Sequence, residues 1–327
     1  MSCGIFHAAY IQSMTFFEFN RKFPTEKSAI DYFIKIRYRN ILTCPKCGAK
    51  TEVYRWKGRA KVVHCKRCNS QFSVFAGTIF EGSSTEIRKW FYAIHLFLNA
   101  KKGMSACQLQ RELGVTYKTA WRILMRIRTA MGNERNKKLF KGIVEIDETY
   151  VGGKPRKINV KLDKEGRAIF SGKKKFYKRG RGTRKTPVVG IKERSSGRVY
   201  AQVMLPNKEG KKLTGKQLLA VLNKACKKGT TVISDDLSSY KILDKKTAKK
   251  FNHLTVNHSK GQYSAGGGVN TNGIENFWSI LKRMHYGTYH SMSEKHLQSY
   301  VNECVFRANH LKDAREFEEL LKQTLTA

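Results

Sequence analysis

Two cysteine pairs, Cys44-Pro-Lys-Cys47 and Cys65-Lys-Arg-Cys68, stand seventeen residues apart. No other feature of the chain restricts its fold so tightly. Each pair sets two thiolates on one tight turn, and two such turns complete a tetrahedron around zinc. Gly48 and Asn69 follow the pairs, where turns of this kind call for a positive φ. The stretch between them is basic and includes Val53, Tyr54 and Trp56; a ribbon this small has little apolar core, so metal is expected to hold it together. His64 reads as a neighbour of the site, since four cysteines suffice. A redox dithiol is the competing reading, and two evenly matched pairs fit a ribbon better. Cys3, Cys107, Cys226 and Cys304 are scattered without rhythm, which suits a reducing cytoplasm rather than disulfides.

Charge narrows the partners. The 327 residues hold 64 Lys+Arg against 25 Asp+Glu, a formal net charge of +39, with 40% hydrophobic content. The apolar fraction fits a folded protein of two or three domains. The charge points to a polyanion: DNA, RNA or an acidic membrane surface. The longest apolar run, Trp90 to Leu98, is interrupted by His95 and is too short to span a bilayer. The N-terminus lacks the pattern of a secretory signal, and Met14 is a second candidate start.

Against this scarcity of acids, Glu145, Asp147 and Glu148 crowd the stretch Gly142–Gly153. The stretch alternates as a strand, with Val144, Ile146 and Glu148 on one side and Glu145, Asp147 and Thr149 on the other. Carboxylates this close repel, and burying them is costly unless a cation or a working site holds them. Asp147 reads as the first ligand of a divalent metal. An edge strand with one wet face is the alternative.

The remaining pattern orders the chain. Thr25 to Arg39 reads as an amphipathic helix capped by Thr25. Ser83-Ser-Thr-Glu86 reads as a capping box opening a helix over 84–99. Ser105–Leu113, Gly114 and Tyr117–Arg128 read as helix, turn, helix, with Ala106, Leu109, Leu113, Val115, Ala120 and Ile123 packed inward. Lys118, Thr119 and Arg122 then project from the start of the second helix toward a DNA groove; a plain helical hairpin is the other reading. Lys154 to Thr186 holds 14 Lys/Arg against two acids, Asp163 and Glu165, and reads as a flexible insertion tracking a phosphate backbone. Two strands follow, joined at Ser195-Ser-Gly197. Then come a helix over Thr214–Lys228 and a short strand ending in Asp235-Asp236. A glycine-rich loop passes through His258, Tyr263 and Gly266–Gly268. A helix follows, with Ile274, Phe277, Trp278 and Leu281 on one face and Glu275 and Lys282 two turns apart. His296–Leu311 is amphipathic, and Ala314–Leu325 reads as a surface helix or frayed tail.

This element order sets Asp147 and Asp235 on adjacent strands of a mixed sheet, with Glu275 delivered from a helix above. Two-metal phosphodiester chemistry asks for such oxygen ligands around two Mg²⁺ roughly 4 Å apart. Singly, Asp235 also fits a turn cap, and Glu275 a capping box or a response to the helix dipole.

These residues carry a family resemblance. The segments Cys44-Pro-Lys-Cys-Gly, Gly77-Thr-Ile-Phe, Gly114-Val-Thr-Tyr-Lys-Thr-Ala-Trp, Asp147-Glu-Thr-Tyr-Val-Gly-Gly, Asn272-Gly-Ile-Glu-Asn-Phe-Trp-Ser-Ile-Leu-Lys282, Gly287-Thr-Tyr-His and Phe306-Arg-Ala-Asn, with Asp235 and Tyr240, run from about residue 16 to 311. Together they resemble bacterial insertion-sequence DDE transposases of the zinc-ribbon group, the family numbered fifteen ninety-five. The resemblance implies an α/β fold: a ribonuclease H-like mixed-sheet catalytic domain preceded by a zinc ribbon and a helix-turn-helix. It implies Asp147, Asp235 and Glu275 as catalytic Mg²⁺ (or Mn²⁺) ligands and Lys282, with Asn276 as a secondary candidate, at the substrate DNA. It also implies end cleavage and strand transfer at terminal inverted repeats by a homo-oligomer. Asp235 is preferred to Asp236 because it ends the strand and Tyr240 falls at the family's offset. The chain departs from the family at Asn270, where histidine is expected, and at His310-Leu311, where a basic ending is expected.

The expected layout is an N-terminal extension and helix over 1–40, zinc ribbon 41–80, helix-turn-helix 81–135, catalytic domain 138–311 with its insertion at 154–186, and tail 312–327. A catalytically inactive DNA-binding descendant of such an enzyme is the main alternative. A structure-specific nuclease is another, and it leaves the two N-terminal binding modules unexplained.

Overall fold

The computed structural model describes residues 14–39, 41–50, 53–56, 59–132, 139–152, 161–162, 165, 168–169, 183, 185–207, 210, 213–235, 239–243, 250–256, 270–310 and 316–325. Most of the basic insertion, the glycine-rich loop, Cys3 and Asp236 lie outside them. In chain order the first half runs α1 (Phe16–Lys22), α2 (Glu26–Tyr38), β1 (Val53–Trp56), β2 (Arg59–Cys65), β3 (Gln71–Ser73), α3 (Ile87–Asn99), α4 (Ala106–Leu113) and α5 (Tyr117–Met131). The second runs β4 (Ile143–Val151), β5 (Lys161–Leu162), β6 (Ala168–Ile169), β7 (Thr186–Glu193), β8 (Val199–Val203), α6 (Gly215–Ala225), β9 (Thr231–Asp235), β10 (Asn252–Val256), α7 (Asn272–Met284), α8 (Leu297–Asn309) and α9 (Glu316–Thr324). The chain forms two units. One comprises Met1–Lys137, Gly287–Tyr289 and Asn302–Ala327, the other Lys138–Tyr286 and His290–Val301.

In the first unit, an aromatic-rich core gathers Phe19, Phe23, Phe33, Phe80, Trp90, Phe91 and Phe97, all essentially without solvent contact. Thr25 caps α2 by accepting from Ser28 N–H. The expected capping box at Ser83–Glu86 does not form, and α3 starts three residues later than Ser84. Ser83 Oγ is engaged instead by Thr85 N–H and Trp90 Nε1. The carboxylate of Glu26, from α2, accepts the N–H groups of Ile87 and Arg88, each at 2.9 Å. A tertiary acid thus satisfies the orphan donors of the first turn that a local one was expected to meet.

The C-terminal α9 is neither a surface helix nor a frayed tail. Leu320 and Leu321 have no exposed surface. Phe317 sets its ring about 6 Å from those of Phe23 and Phe91. A nine-residue helix has little stability alone, and burial of this apolar side supplies it. Beneath it, Glu303 of α8 is fully buried and accepts from Arg128 Nε, Arg307 Nε and Tyr289 O–H.

In the second unit, five strands run in the order β10-β9-β4-β7-β8. β9 is parallel to β4 and to β10, while β7 is antiparallel to β4 and β8. This is the mixed sheet expected of a ribonuclease H-like domain. The predicted alternation in β4 holds. Val144 and Ile146 pack with Val189, Ile191 and Val232 against Leu218, Val221 and Leu222 of α6. Glu145 and Asp147 face α7 on the opposite side. β10 was not legible in the sequence: Asn252, Leu254 and Thr255 are exposed along an edge, so no burial alternation marks it. At the other edge, the Gln298 side chain accepts from Val203 N–H and donates to the Ala201 carbonyl, covering β8. Within the basic insertion, the described residues include one short antiparallel pair, β5 with β6.

Candidate metal and DNA-processing sites

The four cysteines form the first site. The turn after Cys44 closes through Gly48 N–H to the Cys44 carbonyl and Cys44 N–H to the Ala49 carbonyl. The turn at Cys65 closes similarly, with Cys65 N–H to the Ser70 carbonyl. Gly48 has φ 71° and Asn69 φ 55°, the positive values expected of both positions. The Asn69 side chain also hydrogen-bonds His64 Nε2, so His64 stands beside the cluster rather than in it. All four sulfurs lie within 4.8 Å of one another, and two pairs approach to 3.5 and 3.6 Å. The Ser70 hydroxyl lowers Cys44 to about 6 and lowers Cys68 too, favouring the thiolate form that binds metal, while burial and the neighbouring cysteines push Cys47 up to about 12. Four converging soft donors in two knuckles fit tetrahedral zinc.

In the same unit, α4 and α5 build the helix-turn-helix. Ser105 caps α4, Gly114 closes it at φ 60°, and Thr116 caps α5. Leu109, Leu113, Ala120 and Ile123 are buried, with Ala106 and Val115 packed at the margin. Lys118 and Arg122 are exposed and Thr119 is half-buried, its hydroxyl 3.0 Å from that of Thr116.

The second site lies on the α7 face of the large sheet. β4 and β9 pair in parallel through Ile143–Thr231, Val144–Val232 and Glu145–Ile233. The pairing ends there, and Asp147 and Asp235 each lie two residues further along their strands. α7 crosses above: Trp278 donates its Nε1 to Asp147 Oδ2 at 3.0 Å. Glu275, one turn earlier on α7, is exposed, and its Oε1 accepts from the Thr271 hydroxyl at 3.1 Å. The first helical residue is Asn272 and the cap is Thr271, so the Glu275 bond falls to Thr271 and no Asn272 capping box forms. Lys282 and Asn276 are exposed on α7 as well.

Asp147 feels the other two acids. Burial pushes the Asp147 carboxyl up to about 6, and the charges of Asp235 and Glu275 push the same way. A backbone N–H and the Trp278 bond pull against them. Among the described residues only the cysteines draw three or more potential ligand atoms within 4.8 Å of one another. Asp147, Asp235 and Glu275 do not form such a tight group; what links them is the charge that Asp235 and Glu275 exert on Asp147. Hard oxygen donors around a destabilised anion are the donor set that Mg²⁺ or Mn²⁺ takes.

Sequence patterning did not single out the side chains that seat α7. Gly190 lies opposite Asp147 in the ladder, and a Cβ there stands 2.6 Å from the Trp278 ring. An isolated glycine inside a strand is the usual sign of such an approach. Lys192 Nζ donates to the Gly273 carbonyl, and Arg194 bonds both Glu145 and Asn270. Asn270, at the position where the family resemblance expects histidine, also receives Asn272 N–H.

A zinc ribbon and a helix-turn-helix on one chain with an acid-bearing mixed sheet define a DNA transposase. The profile of the ISXO2-like transposase domain matches residues 139–309, and that of the transposase zinc-ribbon domain matches 24–71. An uncharacterised protein in transposable element ISH50 of Halobacterium salinarum is 31% identical over 293 residues, covering 88% of this chain and 92% of the relative. The chain belongs to the ISXO2-like transposase family. Solved structures with some likeness include the Mos1 strand transfer complex (14% identity, TM-score 0.30, 72% of this chain and 74% of that one). Another is a simian T-cell lymphotropic virus intasome (14% identity, TM-score 0.29, 64% and 66%). No helix among the described residues is long and apolar enough to cross a membrane.

Proposed function

We propose that this transposase cuts the ends of its element and joins them to target DNA, using Asp147, Asp235 and Glu275 as the ligands of two Mg²⁺ ions. What supports this is Asp147 on β4, whose carboxyl is raised to about 6 by burial and by the charges of Asp235 on β9 and Glu275 on α7. When bound, the ions supply an activated water or 3′-hydroxyl and stabilise the leaving oxygen. The protein's share is placement. Trp278 fixes the Asp147 carboxylate, Thr271 orients Glu275, and Lys282 reaches the DNA backbone from the exposed side of α7.

Recognition of the terminal inverted repeats falls to α5, with Lys118, Thr119 and Arg122 at its exposed start. Zinc held by Cys44, Cys47, Cys65 and Cys68 keeps the ribbon folded. Two ends are joined in one event, so the working form is a homo-oligomer.

The test is strand cleavage of a duplex carrying the element's terminal repeat, with MgCl₂. Asp147→Asn abolishes cutting and leaves repeat binding intact. Normal cutting by that variant overturns the assignment. Wild-type protein that binds the repeat but never cuts it, with Mg²⁺ or Mn²⁺, identifies an inactive descendant.

A further inference from the structure

Glu145 is one of two acids on β4, with Glu148, that the catalytic trio leaves unused. It is 4% exposed, which is costly for a carboxylate without strong partners. Its partners all belong to the seating of α7. Oε2 accepts Ile274 N–H at 2.9 Å, and Oε1 accepts Arg194 Nε at 2.8 Å. Arg194 reaches on to Asn270, just before the helix, through the backbone carbonyl and through Oδ1 at 3.2 Å. Lys192, opposite Glu145 in the ladder, donates to the Gly273 carbonyl at 3.2 Å. A Cβ on Gly273 stands 2.6 Å from Glu145 Oε2, so the backbone lies directly on the carboxylate.

The chemistry is directional. The first turn of a helix carries unpaired N–H groups and a partial positive charge, which a carboxylate satisfies. The two cations take the neighbouring carbonyls. Each contact lies within five residues of Glu275 on the chain. A slip of α7 by one residue carries Glu275 about 1.5 Å along the axis and rotates it about 100°. An acid that shares metal ions with two strands does not tolerate such a displacement.

We propose that Glu145 and Arg194 form a clamp that sets the register of α7 on the sheet and thereby positions Glu275 for metal binding. They are positioning residues, acting through the helix without touching DNA or metal. The proposal rests on the reading of Asp147, Asp235 and Glu275 as the metal ligands.

The experiment measures single-turnover cleavage of terminal-repeat duplex by the full chain across a MgCl₂ titration. Repeat affinity is measured in Ca²⁺, and thermal melting alongside. Glu145→Ala is expected to cut about 10–100-fold more slowly and to need several-fold more Mg²⁺ for half-maximal rate, with repeat affinity unchanged. Glu145→Gln keeps an acceptor for Ile274 N–H and recovers part of the loss. Arg194→Met opens the clamp from its more exposed side and decides the matter if Glu145→Ala does not fold. Its cutting slows and its Mg²⁺ requirement rises in the same way.

Cutting within twofold of wild type by either folded variant overturns the clamp. A rate loss that tracks lowered melting, with the Mg²⁺ requirement unchanged, overturns it too. Asp147→Asn separates the two failures. If it is inactive while the clamp variants cut normally, the clamp alone fails; if it also cuts normally, the metal-ligand reading fails with it.

Discussion

The ribbon and the large sheet carry the two proposed metal sites, and they hold their electron-rich side chains in opposite ways. In the ribbon the ligands come from two short turns, and the cluster beneath them is small: Cys44, Ala49 and Cys65, with Cys47, Cys68 and Phe72 at its margin. In the sheet unit the acids come from β4, β9 and α7, and the sheet rests on a core that includes Val144, Ile146, Val189, Ile191, Leu218 and Leu222. On the proposed reading the ribbon depends on its metal to fold, whereas the sheet has a core of its own and metal would relieve the electrostatic cost of its acids. A structural ion and a catalytic ion would thus lean on the protein in opposite senses.

The sharpest way to break this contrast is to remove the metal. Stripping zinc with a chelator, or Cys65→Ser, is expected to unfold the ribbon, since structural zinc contributes on the order of 10 kcal/mol to folding in small modules. Hydrogen exchange should show rapid loss of protection over β2 and β3 while β4, β7 and β9 stay protected. A ribbon that keeps its protection without zinc removes the distinction.

A smaller effect tests the cost within the sheet. Burial and the charges of Asp235 and Glu275 push the Asp147 carboxyl up to about 6, from an ordinary value of 3.8. Between those values the folded state holds a proton that the unfolded chain releases. Stability therefore falls as pH rises from about 4 to about 6, by at most about 3 kcal/mol, and then levels. Denaturant titrations at a series of pH values read this slope. MgCl₂ should offset it, and Asp147→Asn should erase it while also ending cleavage. A flat profile in the wild-type protein means the three acids do not burden the fold.

The smallest change probes how tightly the sheet carries α7. Gly190→Ala places a methyl 2.6 Å from the Trp278 ring and 2.9 Å from Ile274. The overpacking is expected to cost about 1–3 kcal/mol and to slow cutting, because the same ring holds Asp147. Unchanged melting and rate indicate that the helix seat is soft. The matching change in the ribbon turn, Gly48→Ala, meets no atom within 4 Å and costs only the backbone strain of φ 71°.

Much of this molecule was readable from local pattern. Cysteine spacing foretold the knuckles, down to the positive φ of Gly48 and Asn69. Strand alternation foretold which side of β4 faces each helix layer. Helical periodicity foretold α5 and the apolar face of α7. Elsewhere the controlling partner lay far along the chain. The start of α3 depends on Glu26, and the burial of α9 depends on Phe23 and Phe91. β10 lies on an exposed edge, where hydrogen bonds to β9 and not side-chain burial define a strand.

The sequence by itself determined the ligand chemistry: thiolates at ribbon spacing, scarce carboxylates in a basic chain, glycines where backbone must turn or approach. Residue type and short-range spacing carry that information because turns, caps and periodic faces are local. Only the tertiary structure decided the division of labour among Glu145, Asp147 and Glu148. Asp147 meets Trp278, Glu145 receives the start of α7, and Glu148 accepts from the buried Tyr240 hydroxyl at 2.9 Å. Three near-identical side chains on one strand take different roles because long-range packing alone sets the charges and donors that surround each.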